Sequence, residues 1–114
     1  MQQQMNDEPV LLYTTYPSVV EAEDSGRKIV ESGLAACVNV IPGMRSIYRW
    51  QGKVEQADEA VMIIKTRMSL AEKVTAAVKS GHSYETPAVL VLPILGGSQP
   101  YIDWLLAETR GVRA

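Results

Sequence analysis

The chain has 114 residues, 46% of them hydrophobic and 21% charged, which predicts one globular domain over residues 9–114 after a polar, flexible segment at residues 1–8. A net charge of −2 without blocks of like charge excludes a general surface for nucleic acid or acidic membrane, and the apolar runs are too short to span a bilayer. A lone cysteine excludes an internal disulfide, and without a signal-peptide pattern at the amino terminus we expect a cytoplasmic protein.

The first two elements are predicted to be a strand and a helix. Residues 10–13 (V-L-L-Y) form an apolar run too short for a helix, which favours a buried central strand. Ser18 followed by Glu21 fits a capping box, and small or apolar residues then recur at helical spacing up to Gly33. We therefore expect an amphipathic helix that begins after Ser18 and ends at this glycine.

The longest predicted feature is a hairpin with arms at residues 33–50 and 53–66. A Pro-Gly pair at 42–43 predicts a bend or bulge in the first arm, and Gln-Gly at 51–52 predicts a two-residue turn. An arm of about sixteen extended residues reaches roughly 50 Å, whereas a helix of about 14 residues covers only about 20 Å. Because its own helices cannot cover such a hairpin, we expect another subunit to do so.

Three further elements complete the predicted order. Ser69 with Glu72 repeats the capping-box pattern before a second helix that ends at Gly81. Residues 88–94 form a continuous apolar strand, and a last helix follows Ser98. This order predicts an α+β fold, a ferredoxin-like βαββαβ sandwich with a long hairpin between its second and third strands and an extra C-terminal helix. Right-handed crossovers place the first and third strands in the middle and the second strand at an edge.

The sequence contains no pattern typical of a common enzyme class. It lacks a nucleophile motif, a phosphate-binding glycine loop, an H-E-x-x-H pair and a C-x-x-C pair. A single histidine limits acid–base catalysis at neutral pH. We therefore predict that the protein is not an enzyme.

Five segments, in order and at close spacing, resemble the CutA family of divalent-cation tolerance proteins. They are G-L-A-A-C-V-N-V-I-P-G at 33–43, S-I-Y-R-W-Q-G-K at 46–53, M-I-I-K-T-R at 62–67, H-S-Y-E-T-P at 82–87 and P-Y-I-D-W-L at 100–105. The resemblance extends over residues 10–109. It implies a ferredoxin-like subunit, a tight homotrimer similar in architecture to the PII signalling proteins, and a role in metal tolerance.

The resemblance also implies a cleft between subunits, lined at positions that correspond to Trp50, Lys65, His82, Tyr84 and Glu85, where a small anionic or metal-bearing ligand would bind. Lys65 ends an apolar run on a predicted central strand, where an unpaired ammonium is costly. A structural ion pair with a carboxylate is the favoured interpretation, and a ligand site is the alternative. Tyr48 and Trp50, near the hairpin tip, are predicted interface anchors.

His82 is the first candidate metal ligand and Cys37 the second. His82 follows a helix and precedes Tyr84 and Glu85, although a histidine that interacts with the helix carbonyls is the favoured alternative. Cys37 is a soft ligand among small residues in a strand, where an inert buried thiol is the favoured alternative.

A copper site in some bacterial CutA proteins uses a cysteine and two adjacent histidines. By the resemblance, those positions are Tyr13, Gly81 and His82 in this chain, so two of the three lack a thiol or imidazole. We therefore expect no required cofactor, and copper or zinc as the divalent metal if one binds.

The resulting hypothesis is a cytoplasmic homotrimer that acts as a binding or regulatory scaffold in divalent metal-ion tolerance. Its partners are further copies of the chain and a divalent metal or small anion, without nucleic acid or membrane. The alternative hypothesis is a PII-like sensor that binds a small anionic ligand in clefts between subunits.

Overall fold

The computed structural model describes residues 7–110, and its elements follow the predicted order. Three helices and four strands are present in this part of the chain, with a 3₁₀ turn at Met68–Leu70. In chain order they are β1 (Pro9–Tyr16), α1 (Val19–Glu31), β2 (Cys37–Trp50), β3 (Lys53–Arg67), α2 (Ala71–Ser80), β4 (Val89–Pro93) and α3 (Gln99–Glu108).

The four strands form one antiparallel sheet in the order β2-β3-β1-β4. The first and third strands therefore lie in the middle and the long second strand lies at an edge, which confirms the predicted topology. Helices α1 and α2 pack on the same face of this sheet, because side chains of both helices join the core below β1 and β3. The fold is the predicted ferredoxin-like sandwich.

Alternation along the central strands divides the sheet into a core face and an open face. Leu12 of β1 and Met62 and Ile64 of β3 are fully buried against the helices. Gly26 lets α1 approach closely, since a Cβ atom there would lie within 3 Å of Val38 Cγ2 and Met62 Sδ. The odd-numbered residues of β1 and β3, such as Tyr13, point to the open face, which carries the candidate site.

The hairpin has the predicted bulge and the predicted turn. The register between β2 and β3 shifts between Ile41 and Met44, at the Pro-Gly pair. Gln51 and Gly52 have φ values of 50° and 82°, the left-handed conformation that a type I′ turn requires at both positions. Beyond the bulge the arms extend past the helices, and the longest dimension of the molecule is 48 Å. The outer half of the hairpin is accordingly exposed.

The two predicted capping boxes have different outcomes. Ser18 Oγ accepts the Glu21 N–H at 3.1 Å, so the first N-cap is confirmed, but the Glu21 carboxylate accepts hydrogen bonds from Ser83 and does not complete the box. Ser69 does not cap α2. Its N–H and hydroxyl instead donate to the Asp7 carboxylate at 2.9 and 3.0 Å, and α2 begins after Leu70.

Asp7 connects the start of the described chain to the end of β3. Its carboxylate forms an ion pair with Arg67 at 2.7 Å, and both side chains are largely buried. Burial opposes ionisation of Asp7, but the hydrogen bonds from Arg67 and Ser69 outweigh it and lower the pKa of the carboxyl. Asp7 and Glu8, which were predicted to be flexible, thus contact the domain. The other residues of that predicted segment, 1–6, lie outside the described residues.

The C-terminal helix α3 covers one end of the open face. Leu105 is buried, and Arg67 donates from Nε to Thr109 Oγ1 at 2.9 Å and from Nη2 to the Leu106 carbonyl. Tyr101 and Trp104 of this helix remain 44% and 41% exposed. Within residues 7–110, no helix is long and apolar enough to cross a membrane.

Candidate functional site

A cavity of about 710 Å³ lies on the open face, between the hairpin, β1 and the loop that precedes β4. It contains three of the residues predicted for the cleft, namely Trp50, Tyr84 and Glu85. Lys65, His82 and Cys37 do not line it. The full lining is Tyr13, Thr15, Ser46, Ile47, Tyr48, Trp50, Glu59, Ser83, Tyr84, Glu85, Thr86 and Ala88.

Glu59 organises the polar part of this cavity. Ser46 Oγ donates to Oε1 of Glu59 at 2.6 Å, and Tyr84 Oη donates to Oε2 at 2.7 Å. Burial and the hydrogen bond to the Glu59 carboxylate raise the pKa of Tyr84 well above its usual value. The phenol therefore stays protonated at neutral pH and holds the carboxylate against the cavity wall.

Sequence reasoning missed Glu59. It precedes the apolar run of β3, in a segment where charged residues are typical of a solvated hairpin arm. Its position on the open face follows from the alternation along β3, and the register after the bulge in β2 places it opposite Met44. The only available signal was the two-residue alternation along β3, which puts residue 59 on the same face as residues 61 and 63.

The side chain of His82 lies behind the cavity and is fully buried. Its Nδ1 accepts the Tyr84 N–H at 3.0 Å, so Nε2 carries the proton and donates to the Thr15 carbonyl at 2.7 Å. The ring stacks on Tyr16 with the centroids 4.2 Å apart. Both ring nitrogens thus bond to backbone groups. The alternative interpretation expected a carbonyl of the preceding helix, but the carbonyl that accepts from the ring belongs to β1.

The loop that contains His82 is also held from the α1 side. The Glu21 carboxylate accepts the Ser83 N–H at 2.9 Å and the Ser83 hydroxyl at 3.0 Å. Glu21 Oε2 lies 3.8 Å from His82 Nδ1. These contacts fix the backbone that presents Tyr84 and Glu85 to the cavity.

The other residues considered as metal ligands lie in different surroundings. Cys37 is a half-buried free thiol, with Lys65 as its cross-strand partner. Of the three positions of the family copper pattern, Tyr13 lines the cavity and Gly81 follows the last residue of α2. The third, His82, supplies the one imidazole of the pattern. In the part of the chain that the structure describes, no group of three or more His, Cys, Asp or Glu side chains is arranged to hold a metal ion.

Lys65 does not have the predicted carboxylate partner among residues 7–110. Its Nζ donates to the Tyr101 hydroxyl at 3.1 Å and lies 5.3 Å from the centroid of that ring. The ammonium is therefore stabilised, in an exposed contact, by the hydroxyl and the π face of a tyrosine of the C-terminal helix. This position is at the α3 end of the open face, away from the cavity lining.

Comparisons with known proteins connect this architecture to one family. A family model described as "CutA1 divalent ion tolerance protein" matches residues 10–108. "Protein CutA, chloroplastic" from Arabidopsis thaliana is 45% identical over 101 residues, which are 89% of this chain and 56% of that protein. The "Divalent-cation tolerance protein CutA" of Escherichia coli is 41% identical over 105 residues, 92% of this chain and 94% of that protein. The chain thus spans about half the length of the plant relative.

The solved structures agree with the sequence matches. The crystal structure of CutA1 from Oryza sativa superposes with a TM-score of 0.88 at 40% sequence identity. The match covers 93% of this chain and 97% of the rice chain, so it includes the hairpin, the sheet and the helices together.

Proposed function

We propose a role in the tolerance and homeostasis of divalent metal ions for this chain, which belongs to the CutA1 family of divalent ion tolerance proteins. It acts there as a cytoplasmic homotrimer. The family match over residues 10–108 is the observation that carries this proposal. The protein works as a binding or regulatory scaffold rather than as an enzyme. The cytoplasmic location is proposed for this chain and is not a property of the whole family, because the Arabidopsis relative is named as chloroplastic.

The exposed apolar surface of the single chain supports self-association. Ile47 and Val54 on the hairpin are 71% and 65% exposed, and Leu90 on β4 is 59% exposed. Monomeric proteins seldom leave apolar strands uncovered at both edges of a sheet. Here β2 and β4 are the two edges, and a contact from one edge to the other edge of the next copy is the head-to-tail type from which cyclic oligomers are built. The number three comes from the family resemblance.

Light scattering of the purified protein tests the assembly. We expect a mass three times the 12.5 kDa of one chain at micromolar concentration. Tyr48→Ala combined with Trp50→Ala is expected to loosen the trimer and lower its thermal stability. Val20→Ala is the matched control, because Val20 is 65% exposed on α1 and lies away from the hairpin. A monomer in the unmodified protein would overturn the proposed trimer.

For the metal, we propose weak binding of copper or zinc through His82, with Cys37 as the second candidate. A metal ion at His82 has to displace the Thr15 carbonyl or the Tyr84 N–H from a ring nitrogen, which reduces the net affinity. Calorimetry with CuCl₂ and ZnCl₂ is expected to give at most modest affinity, and His82→Ala is expected to reduce it. Submicromolar binding that survives this substitution, and is lost in Cys37→Ser, would assign the metal to the cysteine.

A further inference from the structure

Asp7 lies just before β1 and places its carboxylate on donors from the other end of the sheet's central strand β3 and the turn after it. Its Oδ2 accepts from Arg67 Nη1 at 2.7 Å and from the Ser69 hydroxyl at 3.0 Å, and its Oδ1 accepts from the Ser69 N–H at 2.9 Å. Both carboxylate oxygens are thus bonded, as they are when an arginine and a backbone N–H bind a carboxylate ligand. The ligand in this case is a side chain of the same protein.

The donors are positioned by contacts other than those to Asp7. Arg67 ends β3, and its guanidinium also donates to Thr109 Oγ1 at 2.9 Å and to the Leu106 carbonyl. Ser69 is the middle residue of the 3₁₀ turn that joins β3 to α2, and this turn sets the direction of its N–H. Because the donors are fixed in advance, a carboxylate that enters the site does not have to order them.

The charge of Arg67 makes an empty site unfavourable. The Arg67 and Asp7 side chains are only 16% and 18% exposed, and among residues 7–110 Asp7 supplies the one carboxylate within ion-pair distance of this guanidinium. Without the Asp7 carboxylate, a largely buried cation would lose its counter-charge, which is strongly unfavourable. The vacated space therefore favours a small anion with the geometry of a carboxylate.

The site does not depend on a surface that is exposed only in the single chain. The edges proposed to meet the next copy are β2 and β4, whereas Arg67 belongs to a central strand. The space for the anion is the space that the Asp7 side chain occupies, and the donors are those that already bond to it. The same donors are therefore present in the assembled protein.

We propose that Arg67 and Ser69 form a binding site for a small carboxylate, and that Asp7 occupies this site as an internal ligand. Asp7 inhibits the site, because a tethered carboxylate competes at an effective concentration of about millimolar or more. A free carboxylate binds when Asp7 is withdrawn, and by linkage its binding favours the release of Asp7. The site is distinct from His82 and Cys37, and the proposal does not depend on metal-ion tolerance.

Replacement of the missing carboxylate by formate tests the proposal in the assembled protein. Asp7→Ala vacates the site, and sodium formate is compared with sodium chloride at the same ionic strength and one fixed protein concentration. We expect about 0.2 M formate to raise the thermal midpoint of Asp7→Ala by at least about 3 °C over chloride. In the unmodified protein, where Asp7 competes, we expect a difference below about 1 °C.

Asp7→Asn is the matched control, because it removes the same charge but leaves an amide of nearly the same size in the site. We expect formate to raise its midpoint by less than about 1 °C over chloride. The backbone amide resonance of Ser69 gives a second readout at the site itself. It is expected to shift saturably with formate in Asp7→Ala and to stay in place in Asp7→Asn. An Asp7→Ala variant that folds only in formate would also support the proposal.

Three results would overturn the proposal. One is equal stabilisation of all three proteins by formate, which would be a general effect of the salt. Another is a Ser69 resonance that shifts with phosphate and not with formate, which would indicate a phosphate site. The third is folded Asp7→Ala in which formate moves neither the midpoint nor this resonance. Copper or zinc binding through His82 is measured separately, so failure of either proposal leaves the other standing.

Discussion

Replacement of His82 by alanine is expected to destabilise the domain far more than its place in a short loop suggests. The side chain is fully buried and bonds to the backbone through both ring nitrogens. Each of these hydrogen bonds contributes about 1 kcal/mol net, and the stacked ring of Tyr16 contributes about another 1 kcal/mol. The total is about 3 kcal/mol, before any cost of the cavity that the missing imidazole leaves.

Urea unfolding at one fixed protein concentration measures this loss, because an oligomer's apparent stability depends on concentration. Ser80→Ala is the control, since Ser80 lies two residues earlier and its hydroxyl donates to an exposed carbonyl at 3.1 Å. We expect the control to lose less than about 0.5 kcal/mol. A loss below about 1 kcal/mol for His82→Ala would refute the structural role of the imidazole. Such a small loss would also indicate that the ring nitrogens of the unmodified protein are available to a metal ion.

Gly26→Ala is expected to cost about 2 kcal/mol in thermal or urea unfolding, because the added methyl group forces α1 away from the sheet; an unchanged stability would contradict the close packing. Lys65→Met is expected to cost only about 1 kcal/mol, since its partner Tyr101 is neutral, and a loss of 3 kcal/mol or more would indicate a charged partner. Asp7→Asn is expected to cost about 2 kcal/mol at neutral pH through its bond to Arg67. The pKa of Asp7 in the folded protein lies below its ordinary value of 3.8, so this contribution is present above pH 3.8 and disappears as the pH falls through the folded pKa. A stability difference between Asp7→Asn and the unmodified protein that does not change with pH would contradict it.

The fold was predictable because its signals are local. The Pro-Gly pair, the Gln-Gly turn and the Ser18 cap each act within a few residues, and the handedness rule then orders the strands. The second cap was predicted wrongly for the same reason. Ser69 has the correct local pattern, but a carboxylate 62 residues earlier in the chain, that of Asp7, takes its hydrogen bonds.

The candidate site was predictable only in part, because its key contacts join distant segments. The structure brings Trp50, Tyr84 and Glu85 to one cavity of the single chain, and the cleft between subunits that the family resemblance implies stays a prediction. The part played by Glu59 depends on the register after a bulge, which periodicity does not give. The partner of Lys65 depends on where α3 docks, 36 residues later in the chain.

The growth of bacteria in copper tests the central claim, a role in divalent metal-ion tolerance, most directly. The measurement compares cells that lack their own CutA protein and carry either this chain or an empty vector, over a series of CuCl₂ concentrations. We expect the chain to restore growth at copper concentrations that inhibit the vector control. Equal inhibition of both strains, with the folded protein present at a normal level in the cells, would contradict the proposed function.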